Sequence, residues 1–179
     1  AEQVTDQIEI FQTNAKNIPV SMNLSAKELM RKDIVQMLDA ILQHHAFSGD
    51  KMGIEITESA LIEDLSNSVE KLKAFKQLGM NISIDDFGTG YSSLSYINRF
   101  PIDYIKIDKS FVDKITSEEN SRSIVKTIIS LTESLGAKAI AEGVETKEQL
   151  EILIDLGCTI IQGYYFYKPM PASDILTLL

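Results

Sequence analysis

The stretch LGMNISID at residues 78–85 decides the fold, because its pattern recurs as LGAKAIAE at 135–142 and as LGCTIIQ at 156–162. In each copy a Leu-Gly pair precedes a short apolar run, and a polar residue ends the run five or six positions after the glycine. Glycine suits the left-handed position that closes a helix, and a short apolar run is typical of a buried strand. The repeat therefore predicts a helix, a glycine and a strand in alternation.

The same alternation extends along the chain and predicts six strands. They are expected near residues 19–25, 51–57, 81–87, 103–109, 138–144 and 159–166. Apolar residues at helical spacing predict helices over 66–78 and 119–135, and Thr146 with Gln149 has the spacing of a capping box that begins a helix. Strands that alternate with helices indicate a parallel sheet of the α/β class.

Periodicity alone fits both a doubly wound open sheet and a barrel. The polar residues at the predicted strand ends are on average about 28 positions apart, close to the roughly 31 of a barrel whose eight βα units take about 250 residues. Along the first strand, Ser21 and Asn23 alternate with Met22 and Leu24, so that polar side chains converge on one axis while apolar ones face outer helices. This alternation favours a TIM-like (β/α) barrel.

A closed barrel has eight strands, and six are predicted here. The chain opens in a predicted helix marked by Val4, Ile8 and Phe11, so we expect about two βα units, roughly 60 residues, to lie upstream of residue 1. The sequence thus predicts an incomplete TIM-like barrel with about six of eight βα units. We expect residues 1–179 to form one domain that lacks its N-terminal portion.

Composition excludes several classes of protein. The 179 residues are 44% hydrophobic and 24% charged, which is ordinary for a soluble globular protein. A single cysteine and two histidines exclude a disulfide framework and a zinc site rich in Cys or His. The net charge of −9 disfavours binding to DNA, RNA polymers or anionic membranes, and no apolar run reaches the roughly 18–20 residues of a membrane span. We expect a cytoplasmic protein.

Polar residues end all six predicted strands, at the edge where a parallel barrel places its active site. These residues are Asn23, Glu55, Asp85, Lys106, Glu142 and Gln162. Carboxylates and an amide are hard oxygen ligands, which suit Mg²⁺, Mn²⁺ or Ca²⁺ and suit zinc poorly. Adjacent Asp85 and Asp86 would let one carboxylate bridge two cations, as in sites for in-line phosphoryl displacement.

Structural interpretations of these residues remain open. A single acid at a strand end is more often a helix cap or a solvated surface group, and Lys106 could form only an ion pair with Asp108. Gly88-Thr89-Gly90 fits a strand-to-helix turn as well as a phosphate loop, and the aromatic run at 164–167 is interpreted first as packing on both faces of a strand. These interpretations explain poorly why six consecutive strands all end on groups compatible with metal or phosphate.

In their order along the chain, these motifs resemble those of EAL domains, the bacterial cyclic di-GMP phosphodiesterases. The motifs are SMNLS at 21–25, EITES at 55–59, DDFGTGYSSL at 85–94, KID at 106–108, AEGVET at 141–146 and QGY at 162–164. The resemblance implies a modified eight-stranded α/β barrel that hydrolyses cyclic di-GMP to linear pGpG with two metal ions, Mg²⁺ or Mn²⁺.

The resemblance also implies a ligand set for the metals. Asn23, Glu55 and Asp85 would bind the first ion. Asp85 would in addition bridge to a second ion, which Asp86 would help to hold.

Three residues would be catalytic by the same resemblance. Lys106 would orient the attacking water or stabilise phosphate charge, Glu142 would be the general base or a ligand of the second metal, and Gln162 would help to position water and substrate. Glu58 would hold the loop from Phe87 to Leu94, which in this family couples metal binding to dimerisation. A homodimer is therefore expected.

One departure from the family pattern bears on activity. The Glu-Ala-Leu tripeptide that names the family, and whose Glu binds the first metal, occurs nowhere in the 179 residues, and neither does a nearby substrate-contacting arginine. The chain as given is therefore expected to be impaired as an enzyme. The alternatives are a non-catalytic receptor module for cyclic di-GMP and a protein that only dimerises. Catalytic ancestry is favoured because competent residues fill every family position present.

Overall fold

A computed structural model describes residues 2–13, 18–89 and 94–178. Its strands are β1 (Val20–Asn23), β2 (Met52–Thr57), β3 (Asn81–Phe87), β4 (Tyr104–Ile107), β5 (Lys138–Ala141) and β6 (Ile160–Ile161). Its helices are α1 (Glu2–Thr13), α2 (Ala26–Leu29), α3 (Ile34–His44), α4 (Glu58–Glu63), α5 (Leu65–Gln77), α6 (Leu94–Ile97), α7 (Lys109–Lys114), α8 (Glu119–Ser134), α9 (Lys147–Asp155) and α10 (Ala172–Ile175), with one 3-10 turn at Gly49–Lys51. Among these described helices, none has the length and apolar character of a membrane span.

The strands follow one another across the sheet in chain order, β1-β2-β3-β4-β5-β6. The pairs β1–β2, β3–β4, β4–β5 and β5–β6 are parallel. A doubly wound sheet reverses its strand order at a switch point, whereas a (β/α) barrel adds each strand beside the previous one. The unreversed order therefore confirms the predicted α/β class and the six βα units of a TIM-like barrel.

The repeated Leu-Gly pair closes three helices as predicted. Gly79, Gly136 and Gly157 have φ values of 83°, 70° and 94°. After each glycine the next amide reaches back to a carbonyl in the last helical turn, as in the 3.1 Å bond from Met80 N to Phe75 O. This arrangement satisfies carbonyls that the helix end would leave unpaired, and it starts the following strand at a fixed point.

The last strand is much shorter than predicted. The expected strand over 159–166 is reduced to β6, and the chain turns at Gly163, where the Phe166 amide bonds to the Gly163 carbonyl. The four aromatic residues at 164–167 are 40% to 60% exposed, so the interpretation of this run as packing is wrong. A Cβ at Gly163 would lie 2.1 Å from the carbonyl oxygen of Val144, and this close approach of two backbones redirects the chain.

The chain forms two compact units, each with its own buried residues. Unit 1 comprises Ala1–Ile56, Ala60–Ile82 and Pro169–Leu179, and unit 2 comprises Thr57–Ser59 and Ser83–Lys168. In unit 1 the fully buried side chains include Ile8, Leu38 and Phe75. In unit 2 they include Ile105 and Val125. That residues 1–179 act as one domain stays a prediction.

Candidate active site

Unit 2 brings Lys106 between two carboxylates at the carboxyl ends of three neighbouring strands. Lys106 Nζ lies 3.2 Å from Asp85 Oδ1 and 2.7 Å from Glu142 Oε1. The lysine side chain is 6% exposed, and those of Asp85 and Glu142 are 16% and 18% exposed. An ammonium group this deeply buried needs charged partners to offset its lost hydration. The two predicted catalytic residues Lys106 and Glu142 are thus in contact.

The alternative that Lys106 only pairs with Asp108 is wrong. Asp108 instead caps α7, since its Oδ1 accepts a 3.0 Å hydrogen bond from the Ser110 amide. Side chains of successive strand residues point to opposite faces, so Lys106 and Asp108 would share a face if the strand continued. Helix α7 begins directly after Asp108, however, and the Asp108 carboxylate caps it. Lys106 contacts Asp85 on β3 and Glu142, which follows β5.

Asp85 and Asp86 lie at an irregularity in the sheet. The register of β3 on β4 shifts between Ile84 and Phe87, and Asp86 has a left-handed backbone, with φ of 53°. The Asp86 amide donates to Asp85 Oδ1 at 3.0 Å. Asp tolerates the left-handed conformation of Asp86 better than most residues do, so two consecutive carboxylates can stand at this strand end.

The electrostatics of Asp86 favour a cation nearby. Partial desolvation raises the pKa of Asp86, and the carboxylates of Asp85 and Asp108 raise it further against the lowering effect of Lys106. A divalent cation would relieve this repulsion between carboxylates.

The Gly88-Thr89-Gly90 segment behaves as a turn in its described part. The Thr89 hydroxyl donates to the Asp86 carbonyl at 2.8 Å, which fits the turn interpretation. Gly90 and the rest of the predicted dimerisation loop up to residue 93 lie outside the described residues.

Glu58 is a buried acid, 4% exposed, at the start of α4. Tyr96 on α6 donates its hydroxyl hydrogen to Glu58 Oε1 at 2.8 Å. The contact lies two residues beyond the loop that Glu58 is predicted to hold, so that role stays a prediction. Sequence reasoning did not single out Tyr96.

Gln162 is held at the end of β6 through its backbone. Its amide bonds to the Ala141 carbonyl at 2.8 Å, and its carbonyl accepts from the Val144 amide at 3.1 Å. The residue is exposed. This backbone pairing fixes Gln162 beside the segment that begins at Glu142.

In unit 1, Asn23 and Glu55 are brought together as register partners at the ends of β1 and β2. The Leu24 amide continues the pairing with a 2.8 Å bond to the Glu55 carbonyl. Asn23 is exposed and Glu55 half-buried. Both offer oxygen donors at a strand end, as predicted.

By its chemistry, each unit offers oxygen donors that suit a hard divalent cation. Asn23 and Glu55 in unit 1, and Asp85, Asp86 and Glu142 in unit 2, all offer oxygen. Over residues 2–13, 18–89 and 94–178, however, no three His, Cys, Asp or Glu side chains are already gathered as a metal cluster. In unit 2, the Lys106 ammonium lies between Asp85 and Glu142, where it neutralises carboxylates that a cation would otherwise neutralise.

A family model and curated relatives match most of the chain. A family model described as "EAL domain" matches residues 1–169. The chain is 40% identical over 169 residues to the cyclic di-GMP phosphodiesterase PdeR of Escherichia coli (strain K12), an alignment that covers 94% of this chain and 26% of that protein. The chain spans only 20% to 26% of the length of such curated relatives.

Some of the solved structures that are similar to the chain contain cyclic di-GMP. One is a complex of the PaMucR phosphodiesterase with c-di-GMP, with a TM-score of 0.88 and 35% identity over 96% of this chain and 69% of that one. Another is Klebsiella pneumoniae BlrP1 with manganese and cyclic di-GMP, with a TM-score of 0.81 and 32% identity over 90% of this chain and 42% of that one.

Proposed function

Because the chain belongs to the EAL domain family, we propose that it hydrolyses cyclic di-GMP to linear pGpG in a reaction that depends on divalent cations. The observation that carries the proposal is the buried Lys106 ammonium, 2.7 Å from the Glu142 carboxylate and 3.2 Å from that of Asp85. A buried lysine between two acids at strand ends is costly for folding, and parallel barrels build their active sites at these ends.

We propose Mg²⁺ or Mn²⁺ as the cation. Asn23, Glu55 and Asp85 would be ligands of one ion, and Asp85 with Asp86 would be ligands of a second. When bound, such ions activate water and stabilise the attacking and leaving oxygens of a phosphoryl displacement. The exclusively oxygen donor set supports this choice over zinc.

Three residues of unit 2 would act on the water and the phosphoryl group during the reaction. Glu142 would accept a proton from the water that attacks phosphorus, as a general base. Lys106, fixed by its two carboxylate contacts, would stabilise the charge that develops on the phosphoryl oxygens. Gln162, at the end of β6, would position the water and the substrate.

Further features of this function are also proposals. Glu58 would hold the loop from Phe87 to Leu94, and the domain would act as a homodimer through the region after Asp86. The protein would work in the bacterial cytoplasm as part of second-messenger signalling. The net charge of −9 makes cations necessary to bring an anionic dinucleotide to the site.

The test is a hydrolysis assay with Mn²⁺, in which chromatography follows pGpG. It uses this chain and a chimera that carries, ahead of residue 1, the Glu-Ala-Leu-bearing segment of a relative. Glu142→Gln removes the proposed base. Glu133→Gln, an exposed acid near the end of α8, is the matched control.

We expect the chimera to form pGpG faster than the chain, Glu142→Gln to abolish turnover, and Glu133→Gln to leave it unchanged. Calorimetry then separates the alternatives. Tight binding of cyclic di-GMP without hydrolysis by either protein would identify a receptor module. Absence of both binding and hydrolysis would contradict the proposal.

A further inference from the structure

Gln149 is a buried polar residue whose side chain bonds in two directions. It lies in the first turn of α9 and is 6% exposed. Its Oε1 accepts hydrogen bonds from the amides of Glu145 and Thr146, at 2.8 and 2.9 Å. Its Nε2 donates to the carbonyl of Val112 on α7 at 3.2 Å. The bonds to Oε1 complete the capping box that the sequence predicts. The bond from Nε2 links α9 to α7.

The bonds of Gln149 hold the C-terminal end of the segment from Glu142 to Thr146, which joins β5 to α9. On its other side the segment is held through Val144, whose amide bonds to the Gln162 carbonyl and whose carbonyl accepts from the Tyr165 amide at 2.9 Å. The segment therefore has backbone anchors at its centre and a side-chain anchor at its C-terminal end.

Lys109 adds a third anchor from α7. Its Nζ lies 2.5 Å from Glu145 Oε1. Its aliphatic stem lies over Gly143, where a Cβ would come within 2.4 Å of Lys109 Cγ. Gly143 has a φ of 71°, so both the conformation and the close contact require glycine at this position. Gln149 and Lys109 thus tie the same segment to α7.

This segment begins at the proposed base. Strand β5 ends at Ala141, and the Glu142 amide donates a 3.3 Å hydrogen bond to the Ile107 carbonyl. Glu142 is the first residue after the strand, so the backbone of the segment from Glu142 to Thr146 contributes to the direction of its side chain. Helix α7 begins three residues after Lys106, so a link from this segment to α7 is also a link to the partner of Glu142.

We propose that Gln149 is a positioning residue, which holds Glu142 at its distance from Lys106 by fastening the Glu142–Thr146 segment to α7. The inference rests on the proposed function for its catalytic consequence. Gln149 acts through the backbone of the segment and through Val112.

Two variants separate the two directions of bonding. Gln149→Met keeps the length of the side chain and removes both sets of bonds. Gln149→Glu keeps an acceptor for the amides of Glu145 and Thr146 but loses the donor to Val112. Leu153→Ala, a fully buried residue of the same helix, is the control because it lowers stability without removing a bond to the segment.

Steady-state kinetics are measured in whichever protein of the hydrolysis assay is active. Because a displacement of a reacting group by about 1 Å can cost about 100-fold in rate, we expect Gln149→Met to lower kcat about 10- to 100-fold with KM changed less than about threefold. The kcat of Gln149→Glu should lie between those of Gln149→Met and the unmodified protein. At a temperature where it is folded, Leu153→Ala should have a kcat within about twofold of that of the unmodified protein. An unchanged kcat in Gln149→Met, or an equal loss in Leu153→Ala, would overturn the proposal.

Hydrogen exchange tests the positioning without any activity. In Gln149→Met the amides of Glu142, Glu145 and Thr146 should exchange at least about tenfold faster, as expected when a local opening becomes easier. In Leu153→Ala these three amides should accelerate no more than others in α9. If neither protein hydrolyses cyclic di-GMP, the proposed function fails, and the exchange of these amides still decides whether Gln149 holds the segment. Unchanged exchange in Gln149→Met would refute the inference.

Discussion

At the scale of single residues, the environment of Lys106 couples folding to chemistry. The side chain is 6% exposed and contacts Asp85 and Glu142. Buried charges are retained at a cost to stability when a function needs them. The charges of the three residues are therefore coupled, and a substitution of one residue alters the electrostatic environment of the other two.

Replacing Lys106 by methionine should destabilise the chain. Without the ammonium, the largely buried carboxylates of Asp85 and Glu142 lose their common partner, so we expect the free energy of unfolding to fall by about 2–4 kcal/mol. Chemical denaturation with a metal chelator present measures this. Lys147→Met, which breaks the exposed pair with Glu151 at 2.9 Å, should cost at most about 0.5 kcal/mol. Equal losses in both variants would contradict the electrostatic role of Lys106.

Asp86→Asn should make the metal-free protein more stable at neutral pH. The pKa of Asp86 is raised by partial desolvation and by Asp85 and Asp108, so the ionised carboxylate destabilises the folded state at pH values above its folded pKa. Asn also tolerates the left-handed conformation. Because the residue is exposed, we expect a gain in Tm of only about 1–2 °C at pH 7.

The gain from Asp86→Asn should shrink as the pH falls through the folded pKa of Asp86 and vanish below its unfolded value, where both states carry the proton. Thermal unfolding in EDTA across that range measures it. A gain that stays constant with pH would show that ionisation is not its cause. With saturating Mn²⁺, Asp86→Asn should instead lower the Tm, since the variant lacks a proposed ligand of the metal.

At the scale of secondary-structure elements, α5 contains an unfavourable group in its interior. Ser68 is fully buried, and its Oγ has no hydrogen-bond partner among the described residues. A buried unsatisfied hydroxyl costs free energy, and serine is a weaker helix former than alanine. The helix is therefore held by its apolar residues, such as Leu72 and Phe75, both fully buried.

Ser68→Ala should stabilise the protein. We expect the free energy of unfolding to rise by about 1 kcal/mol, from the removed desolvation cost and the better helix propensity. Ser130→Ala, at an exposed position within α8, isolates the propensity effect and should give about half of that gain. Urea denaturation of both variants makes the comparison. Destabilisation by Ser68→Ala would mean that the hydroxyl is bonded in solution.

At the scale of the whole molecule, acids outnumber bases by 26 to 17. This excess is expressed locally where Asp85 and Asp108 raise the pKa of Asp86. A protein with this balance gains stability from bound cations, both by screening and by specific ligation.

Mn²⁺ should raise the Tm of the protein in a saturable way. At a concentration ten times the Kd, binding to the folded state alone adds about 1.4 kcal/mol, or about 3–5 °C for a chain of this size. Asp85→Asn should remove most of the increase, whereas Asp155→Asn, an exposed acid at the end of α9, should preserve it. An equal increase in both variants would locate the binding elsewhere.

The repeated pattern of helix, glycine and strand predicts much of the fold from the sequence alone. Left-handed glycine and apolar runs are local properties, so the ends of α5, α8 and α9 and the six strands could be read from the chain. The strand-end position of the candidate residues followed from the same pattern, because strand ends in a parallel sheet lie on one edge.

Only the tertiary structure decided which of these residues touch. Lys106 pairs with Asp85 and Glu142 because the contact depends on the register of three strands, and Asp108 caps the helix that follows β4. The short β6 and the second hydrogen bond of Gln149, to Val112, likewise depend on backbones far apart in sequence. Local preferences fix where most elements begin and end, whereas the early end of β6 and the contacts between side chains require the packing of the whole chain.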